Sequence, residues 1–338
     1  MNITFFNTKP YDRIWFDPLS EMYKISIRFL EAKLDIETAP LASGSDCICA
    51  FVNDDLSTSV IETLASNGVK CILMRCAGYN NVDLETTERL GIPVLHVPGY
   101  SPEAVAEFSM GLCLAINRQI HRAYLRTKEF NMNINGLMGR DLNNKTAGII
   151  GTGRIGQAMI KICRGFGMEI LAYDLYPNKE LDVTYTDLND LFKKSDLISL
   201  HCPLTRESHY IIDKDALSIM KPGVYIINTS RGGLIKTSDL LEALLIPGKI
   251  GGVGLDVYEE ENDIFYEDNS NEIMEDDKLA RLITFPNVIV TSHQGYFTRE
   301  AMQSIAIETM ENAFAFMENL PLKNRVKAPV KNNFIPVN

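Results

Sequence analysis

The sequence predicts an α/β protein built from two parallel-sheet domains. Three observations carry that expectation. The chain has 338 residues, too many for one ordinary core. Short apolar runs alternate with helical patterns along nearly its whole length, the signature of strand–helix–strand units. Near its middle, a glycine-rich turn follows one apolar run and opens a helix.

The elements follow in order. Residues 2–6, 46–52, 72–75 and 93–97 are expected as strands, with 56–67 the clearest helix between them. This first series covers roughly residues 1–100. Ser101-Pro102-Glu103 then opens a long helix, with Ser101 as N-cap, Pro102 at the first helical position and an acidic first turn. Its apolar pattern runs to about Leu125, which suggests a helix bridging two domains. A second series supplies strands at 146–150, 169–173, 197–200, 224–228, 252–256 and 288–291, with helices fitting between most of them. A last amphipathic helix, 300–317, is expected to return to the first domain. The expected division is therefore residues 1–100 plus 299–338 against residues 101–298.

Composition narrows the function. Hydrophobic residues make up 46% and charged residues 23%, ordinary for a soluble globular chain. No apolar run is long enough for a membrane span, and the first residues lack the features of a signal peptide. A net charge of −11 argues against nucleic acid, which requires clustered Lys and Arg. The seven cysteines are irregularly spaced, so structural burial and a reducing cytoplasm are expected, with neither disulfides nor a metal site.

The glycine-rich turn is Gly151-Thr152-Gly153-Arg154-Ile155-Gly156. It sits between the apolar strand ending at Ile150 and the helical run from Gln157, the context that makes such a motif informative. Gly151 permits the tight turn, Gly153 lets a pyrophosphate approach the backbone, and Gly156 lets the helix pack on the sheet. The helix N-terminus offers free N–H groups to phosphate. The next strand ends at Asp174, 23 positions after Gly151. A carboxylate there accepts ribose hydroxyls and repels a 2′-phosphate, which favours NAD over NADP. Asp174 also reads as an ordinary strand-end turn residue, given Pro177 just beyond.

Candidate reacting groups follow the later strands, at the edge where doubly wound sheets bind ligands. Asn228-Thr229-Ser230-Arg231-Gly232-Gly233 carries an arginine able to grip a carboxylate bidentately. Asp256-Val257-Tyr258-Glu259-Glu260-Glu261 carries three consecutive glutamates, any one of which could pair with a histidine; composition does not choose among them. Thr291-Ser292-His293-Gln294-Gly295-Tyr296 delivers one of only five histidines to a strand tip, and histidine is the natural acid/base near neutral pH. His201, after the strand at 197–200, is its competitor, but the following Cys202-Pro203-Leu204-Thr205 reads as a loop over the cofactor.

These segments together resemble the D-isomer-specific 2-hydroxyacid dehydrogenases. Closer similarity to the fermentative D-lactate branch lies in Met74-Arg75-Cys76-Ala77-Gly78-Tyr79-Asn80-Asn81-Val82-Asp83, in Val97-Pro98-Gly99-Tyr100-Ser101-Pro102 and in Leu200-His201-Cys202-Pro203-Leu204-Thr205. The resemblance covers essentially the whole chain. It implies two Rossmann-like parallel-sheet domains, a flavodoxin-like one for substrate and a doubly wound one for the dinucleotide, with a cleft between them. It implies NADH-dependent reduction of a small 2-keto acid such as pyruvate, with Arg231, Glu261 and His293 as the catalytic groups. Arg75, Ala77, Gly78, Tyr100 and Tyr296 fall at the family's substrate positions. His201, Cys202, Pro203, Thr229, Ser230 and Asp256 fall on the nicotinamide side. The family is commonly dimeric or tetrameric, so a homo-oligomer is expected, and the apolar surface of the helix from Ser101 points the same way.

One departure is Gln294-Gly295 after the histidine, where many members carry Thr or Gly-Ala; it is typical of one bacterial branch. Two other readings are weighed. One is a reductase of bulkier keto acids of the phenylpyruvate or hydroxyisocaproate type. The other is an NAD-sensing, corepressor-like binding protein, disfavoured because no added tail or peptide-binding extension is recognisable. A phosphoglycerate dehydrogenase is also disfavoured, since no regulatory domain follows residue 320.

Overall fold

The computed structural model describes residues 1–261 and 264–328. The chain divides into two compact units, one formed by Met1–Ser101 and the described residues from Phe297 on, the other by Pro102–Tyr296.

In chain order, the first unit contains β1 (Asn2–Phe5), α1 (Pro10–Tyr23), β2 (Ser26–Phe29), β3 (Cys47–Ala50), α2 (Thr58–Ser66), β4 (Cys71–Met74), α3 (Leu84–Arg89) and β5 (Val94–Leu95). The second contains α4 (Pro102–Asn117), α5 (Ile120–Lys128), β6 (Thr146–Ile150), α6 (Arg154–Gly165), β7 (Glu169–Tyr173), β8 (Thr184–Tyr185), α7 (Leu188–Lys194) and β9 (Leu197–Leu200). It continues with α8 (Lys214–Ile219), β10 (Val224–Asn228), α9 (Thr237–Leu244), β11 (Ile250–Leu255), α10 (Asp277–Thr284) and β12 (Val288–Val290). The chain then re-enters the first unit through α11 (Arg299–Met317) and β13 (Arg325–Val326).

The first sheet has the order β13-β5-β4-β3-β1-β2. Its centre follows from sequence: Cys47-Ile48-Cys49-Ala50 and Cys71-Ile72-Leu73-Met74 are buried along their whole length, as strands covered on both faces must be. Two edge strands escape an apolar-run reading. Ser26–Phe29 alternates exposed and half-buried residues, and Arg325–Val326 is short and runs antiparallel to β5. Ala306, Met310 and Ala313 of α11 pack with Phe5, Phe16 and Leu73, and the Thr298 hydroxyl caps that helix by accepting from the Ala301 amide.

The second sheet is wholly parallel, in the order β12-β11-β10-β9-β6-β7-β8. The two-residue strand β8 adds a seventh strand to the six expected. Because all run the same way, the loops after β6, β9, β10, β11 and β12 emerge at one edge. The chain order reverses between β9 and β7 across β6, and there the glycine turn lies.

The expected single helix from Ser101 to Leu125 is corrected. It ends at Asn117, and α5 begins at Ile120. Gln119 takes the left-handed conformation (φ +51°) and its side-chain amide donates to the Ile116 carbonyl at 2.9 Å, closing the helix as a C-terminal cap does. The buried residues Ala106, Met110, Leu112, Cys113 and Ile116 of α4 join the core of the second unit with Ile149, Met159 and Ile227. The exposed apolar residues lie further on, with Phe130 at 90%, Ile134 at 80% and Met138 at 94% exposure. All seven cysteines are free thiols; six are buried, but Cys202 is only half-buried, which corrects the expectation for that residue. Among the described residues, no helix is long and apolar enough to cross a membrane.

Candidate active site

The glycine turn has the geometry its sequence requires. Gly151 has φ +92°, and a Cβ there would lie 2.5 Å from the His201 carbonyl oxygen. Any other residue would be strained in conformation and blocked in space. A Cβ on Gly156 would meet the Gly151 carbonyl oxygen at 2.0 Å, so α6 sits directly on the turn. Gly153 is the opposite case. It is exposed, nothing lies within 4 Å of its Cβ direction, and it precedes α6 without a side-chain cap. The first amides of α6, at Arg154, Ile155 and Gly156, lack intrahelical partners, and the space beside Gly153 is open, an arrangement that suits a pyrophosphate.

Asp174 follows β7. Its Oδ2 accepts the amide and hydroxyl of Thr152 at 2.6 and 2.9 Å, and its Oδ1 accepts the Tyr176 amide at 2.9 Å. The carboxylate thus ties the glycine turn down while keeping acceptor capacity on Oδ1. Both readings of Asp174, turn residue and ribose ligand, are compatible with this placement.

The loop after β9 lies against the same turn. His201 donates its amide to the Ile150 carbonyl, and its Nε2 lies 2.8 Å from Ser199 Oγ. Burial pulls this imidazole down to about 4, so it is neutral near pH 7. Burial pushes the Cys202 thiol up to about 12, which makes it a poor nucleophile. Ser230 Oγ donates to the Cys202 carbonyl at 2.6 Å, joining this loop to the one after β10. Pro203 is exposed beside it. Thr229 is buried, with its hydroxyl 2.7 Å from Ser109 of α4.

Arg231 is half-buried at the end of that loop, with Nη1 donating to the Ser230 carbonyl at 2.6 Å. Its guanidinium has no carboxylate partner among the described residues, so its charge is available to an anion. Asn228 braces the loop by donating to the Arg231 carbonyl and accepting the Ser230 amide. A Cβ at Gly232 would overlap the Tyr258 carbonyl at 2.0 Å, so the arginine loop rests directly on the loop bearing the glutamates.

Those glutamates diverge. Glu259 accepts the Tyr210 hydroxyl and the Thr237 amide. Glu260 pairs with Lys278 at 2.9 Å on the surface. Glu261 alone reaches His293, its Oε1 lying 2.7 Å from Nδ1, while its Oε2 accepts the Tyr258 amide at 2.8 Å. Both groups are largely enclosed, at 16% and 17% side-chain exposure.

His293 itself has φ +53°, uncommon for any residue with a Cβ. Asp256 supports this backbone. It accepts the Thr291 hydroxyl at 2.6 Å, the Gln294 amide at 2.9 Å and the Gly295 amide at 2.7 Å. Burial raises its carboxyl above the ordinary range, opposed by those hydrogen bonds. Tyr296, next along, is buried. Sequence reasoning missed Tyr266, whose hydroxyl donates to the His293 carbonyl at 3.0 Å; nothing in its local pattern marks it.

In the first unit, Ala77 and Gly78 are half-buried in the loop after β4, where the Ala77 carbonyl meets His96 Nδ1 at 2.9 Å and the Gly78 carbonyl accepts from the Cys76 thiol. Tyr100 is half-buried too. Arg75 is only 4% exposed. It donates to the Asn7 carbonyl at 2.8 Å, lies 3.9 Å from Asp12 and stacks over Phe51. Its Nη2 is directed inward to these partners, so it braces the segments that carry them.

The chain is similar to known proteins. Residues 110–295 match the family model described as D-isomer specific 2-hydroxyacid dehydrogenase, NAD binding domain. The D-lactate dehydrogenase of Escherichia coli strain K12 is 47% identical over 315 residues, spanning 92% of this chain and 95% of the relative. Its apo structure aligns with a TM-score of 0.87, covering 96% of this chain and all of the other at 44% identity. The structure reported for the pyruvate reductase of Chlamydomonas reinhardtii aligns with a TM-score of 0.90 at 38% identity, covering 96% of this chain and 98% of that one.

Proposed function

The chain belongs to the D-isomer-specific 2-hydroxyacid dehydrogenases, and on that premise we propose that it reduces pyruvate to D-lactate, reversibly, with NADH. The observation that carries the catalytic part is the 2.7 Å contact between Glu261 Oε1 and His293 Nδ1. A carboxylate at Nδ1 selects the tautomer, orients the ring and leaves Nε2 as the working nitrogen.

The second unit holds NAD, through Gly151, Gly153 and the first amides of α6, with Asp174 toward the adenosine ribose. His201, Cys202, Pro203, Thr229, Ser230 and Asp256 are assigned to the nicotinamide side. Bound NADH supplies a hydride to C2 of the ketone. Arg231 grips the substrate carboxylate and polarises the carbonyl. His293 Nε2 donates the proton that the developing alkoxide takes up, and Glu261 stabilises the imidazolium while it waits. In the reverse direction the same nitrogen removes the hydroxyl proton. Ala77, Gly78, Tyr100 and Tyr296 are assigned to substrate contact, with Arg75 as a candidate beside them.

The homo-oligomer expected for the family is supported by the exposed apolar residues of α5 and the segment after it, which we assign to contact with a second copy. Seven free thiols favour a reducing cytoplasm.

The test is NADH oxidation with pyruvate and phenylpyruvate, plus chiral analysis of the product. Pyruvate is expected to be the better substrate and D-lactate the product. His293→Gln is expected to bind NADH normally and lose about 10²–10⁴-fold in kcat. Faster turnover of phenylpyruvate would move the assignment to the bulkier-acid reductases, and a wild-type protein inactive on every 2-keto acid would move it to the binding proteins.

A further inference from the structure

Glu261 is not the only group that takes hold of His293. The Ile264 and Phe265 amides both donate to the Glu261 carbonyl at 3.0 and 2.9 Å. Tyr266, next along, has φ +70°. Its hydroxyl donates to the His293 carbonyl at 3.0 Å, and its ring lies beside the imidazole with centroids 6.1 Å apart and planes inclined by 30°. Two residues with Cβ atoms in the left-handed region thus meet face to face, a conformation that persists only where surrounding contacts impose it.

We propose that Tyr266 is a positioning residue for His293, acting together with Glu261. This rests on His293 being the proton donor. Glu261 fixes one ring nitrogen, but a ring held at one atom can still swing about that bond. The Tyr266 hydrogen bond holds the backbone from which the ring projects, and its aromatic face limits the ring's tilt. Together with the Asp256 bonds to the Gln294 and Gly295 amides, the contacts leave Nε2 with one direction. The Tyr266 hydroxyl is committed to the His293 carbonyl and is not assigned a proton-transfer role.

The experiment uses the full-length enzyme with two variants, Tyr266→Phe and Tyr266→Leu, beside His293→Gln. Tyr266→Phe keeps the ring and loses only the hydroxyl. It is expected to lower kcat about fivefold, the scale of one neutral hydrogen bond, with KM for NADH unchanged. Tyr266→Leu is expected to lose more in kcat, again with KM for NADH unchanged. If both variants keep wild-type kcat while His293→Gln is inactive, the positioning role is overturned and the proposed function stands. The positioning role is equally overturned if both variants lose thermal stability but keep turnover per folded molecule. If His293→Gln retains wild-type turnover, the proton-donor reading falls, and the role of Tyr266 with it.

Discussion

Asp256 accepts the backbone amide of Gly295 at 2.7 Å, and through that bond and two others a buried carboxylate at the end of one strand shapes the loop at the end of the next. Three donors converge on two oxygens. An amide in their place must turn its NH₂ toward one of the N–H groups, leaving a buried donor unpaired at a cost of about 1–3 kcal/mol. Asp256→Asn is therefore expected to lower the unfolding midpoint and to reduce kcat by more than tenfold. Thermal unfolding and steady-state kinetics on the same preparation check this. Unchanged values for both would show that the loop keeps its shape without the carboxylate.

Glu261→Gln tests the electrostatic half of the pair. The amide keeps the length and shape of the side chain but replaces a charge-assisted hydrogen bond to Nδ1 by a neutral one. Steady-state kinetics on pyruvate are expected to show kcat lower by about tenfold or more, the scale of a hydrogen bond to a charged group, with NADH binding retained. An unchanged kcat would remove Glu261 from this role.

His201 carries a prediction about stability. Its imidazole lies at about 4 in the fold because burial disfavours the cation, against an ordinary 6.5 in the unfolded chain. A group depressed in this way contributes stability that is complete above the unfolded value and lost as pH falls toward the folded one. The stability lost between pH 6.5 and 4 should be at most about 3 kcal/mol from this residue. Denaturant midpoints measured across that window should fall, and His201→Asn should flatten the fall. Equal slopes in the two proteins would contradict it.

Phe130 is 90% exposed, so replacing it does not touch either core. Phe130→Asp is expected to leave the fold intact and to shift the assembly toward monomer, read by sedimentation at several concentrations. A wild-type protein that sediments as a monomer would remove the oligomer altogether.

The sequence by itself determined a good deal. Buried parallel strands must be apolar throughout, so their positions were readable, and the turn at Gly151–Gly156 was readable because each glycine answers a local steric demand. Arg231 and His293 were nominated because strand ends in a parallel sheet share one edge. Local pattern was silent where the decision depended on where a loop travels. Three adjacent glutamates have the same chemistry; only the path after β11 sends Glu259 to Tyr210, Glu260 to Lys278 and Glu261 to His293, and from sequence it was family resemblance that singled out the last. The break at Gln119 was hidden because a glutamine took the left-handed cap that glycine usually marks. Arg75 sits in a motif that points to substrate, and only the tertiary structure shows that its Nη2 is held by the Asn7 carbonyl and Asp12 with the guanidinium over Phe51. Tyr266 lay beyond reach for the same reason as the glutamates: its meaning comes from a partner 27 residues away, and a contact across that distance is settled by tertiary packing.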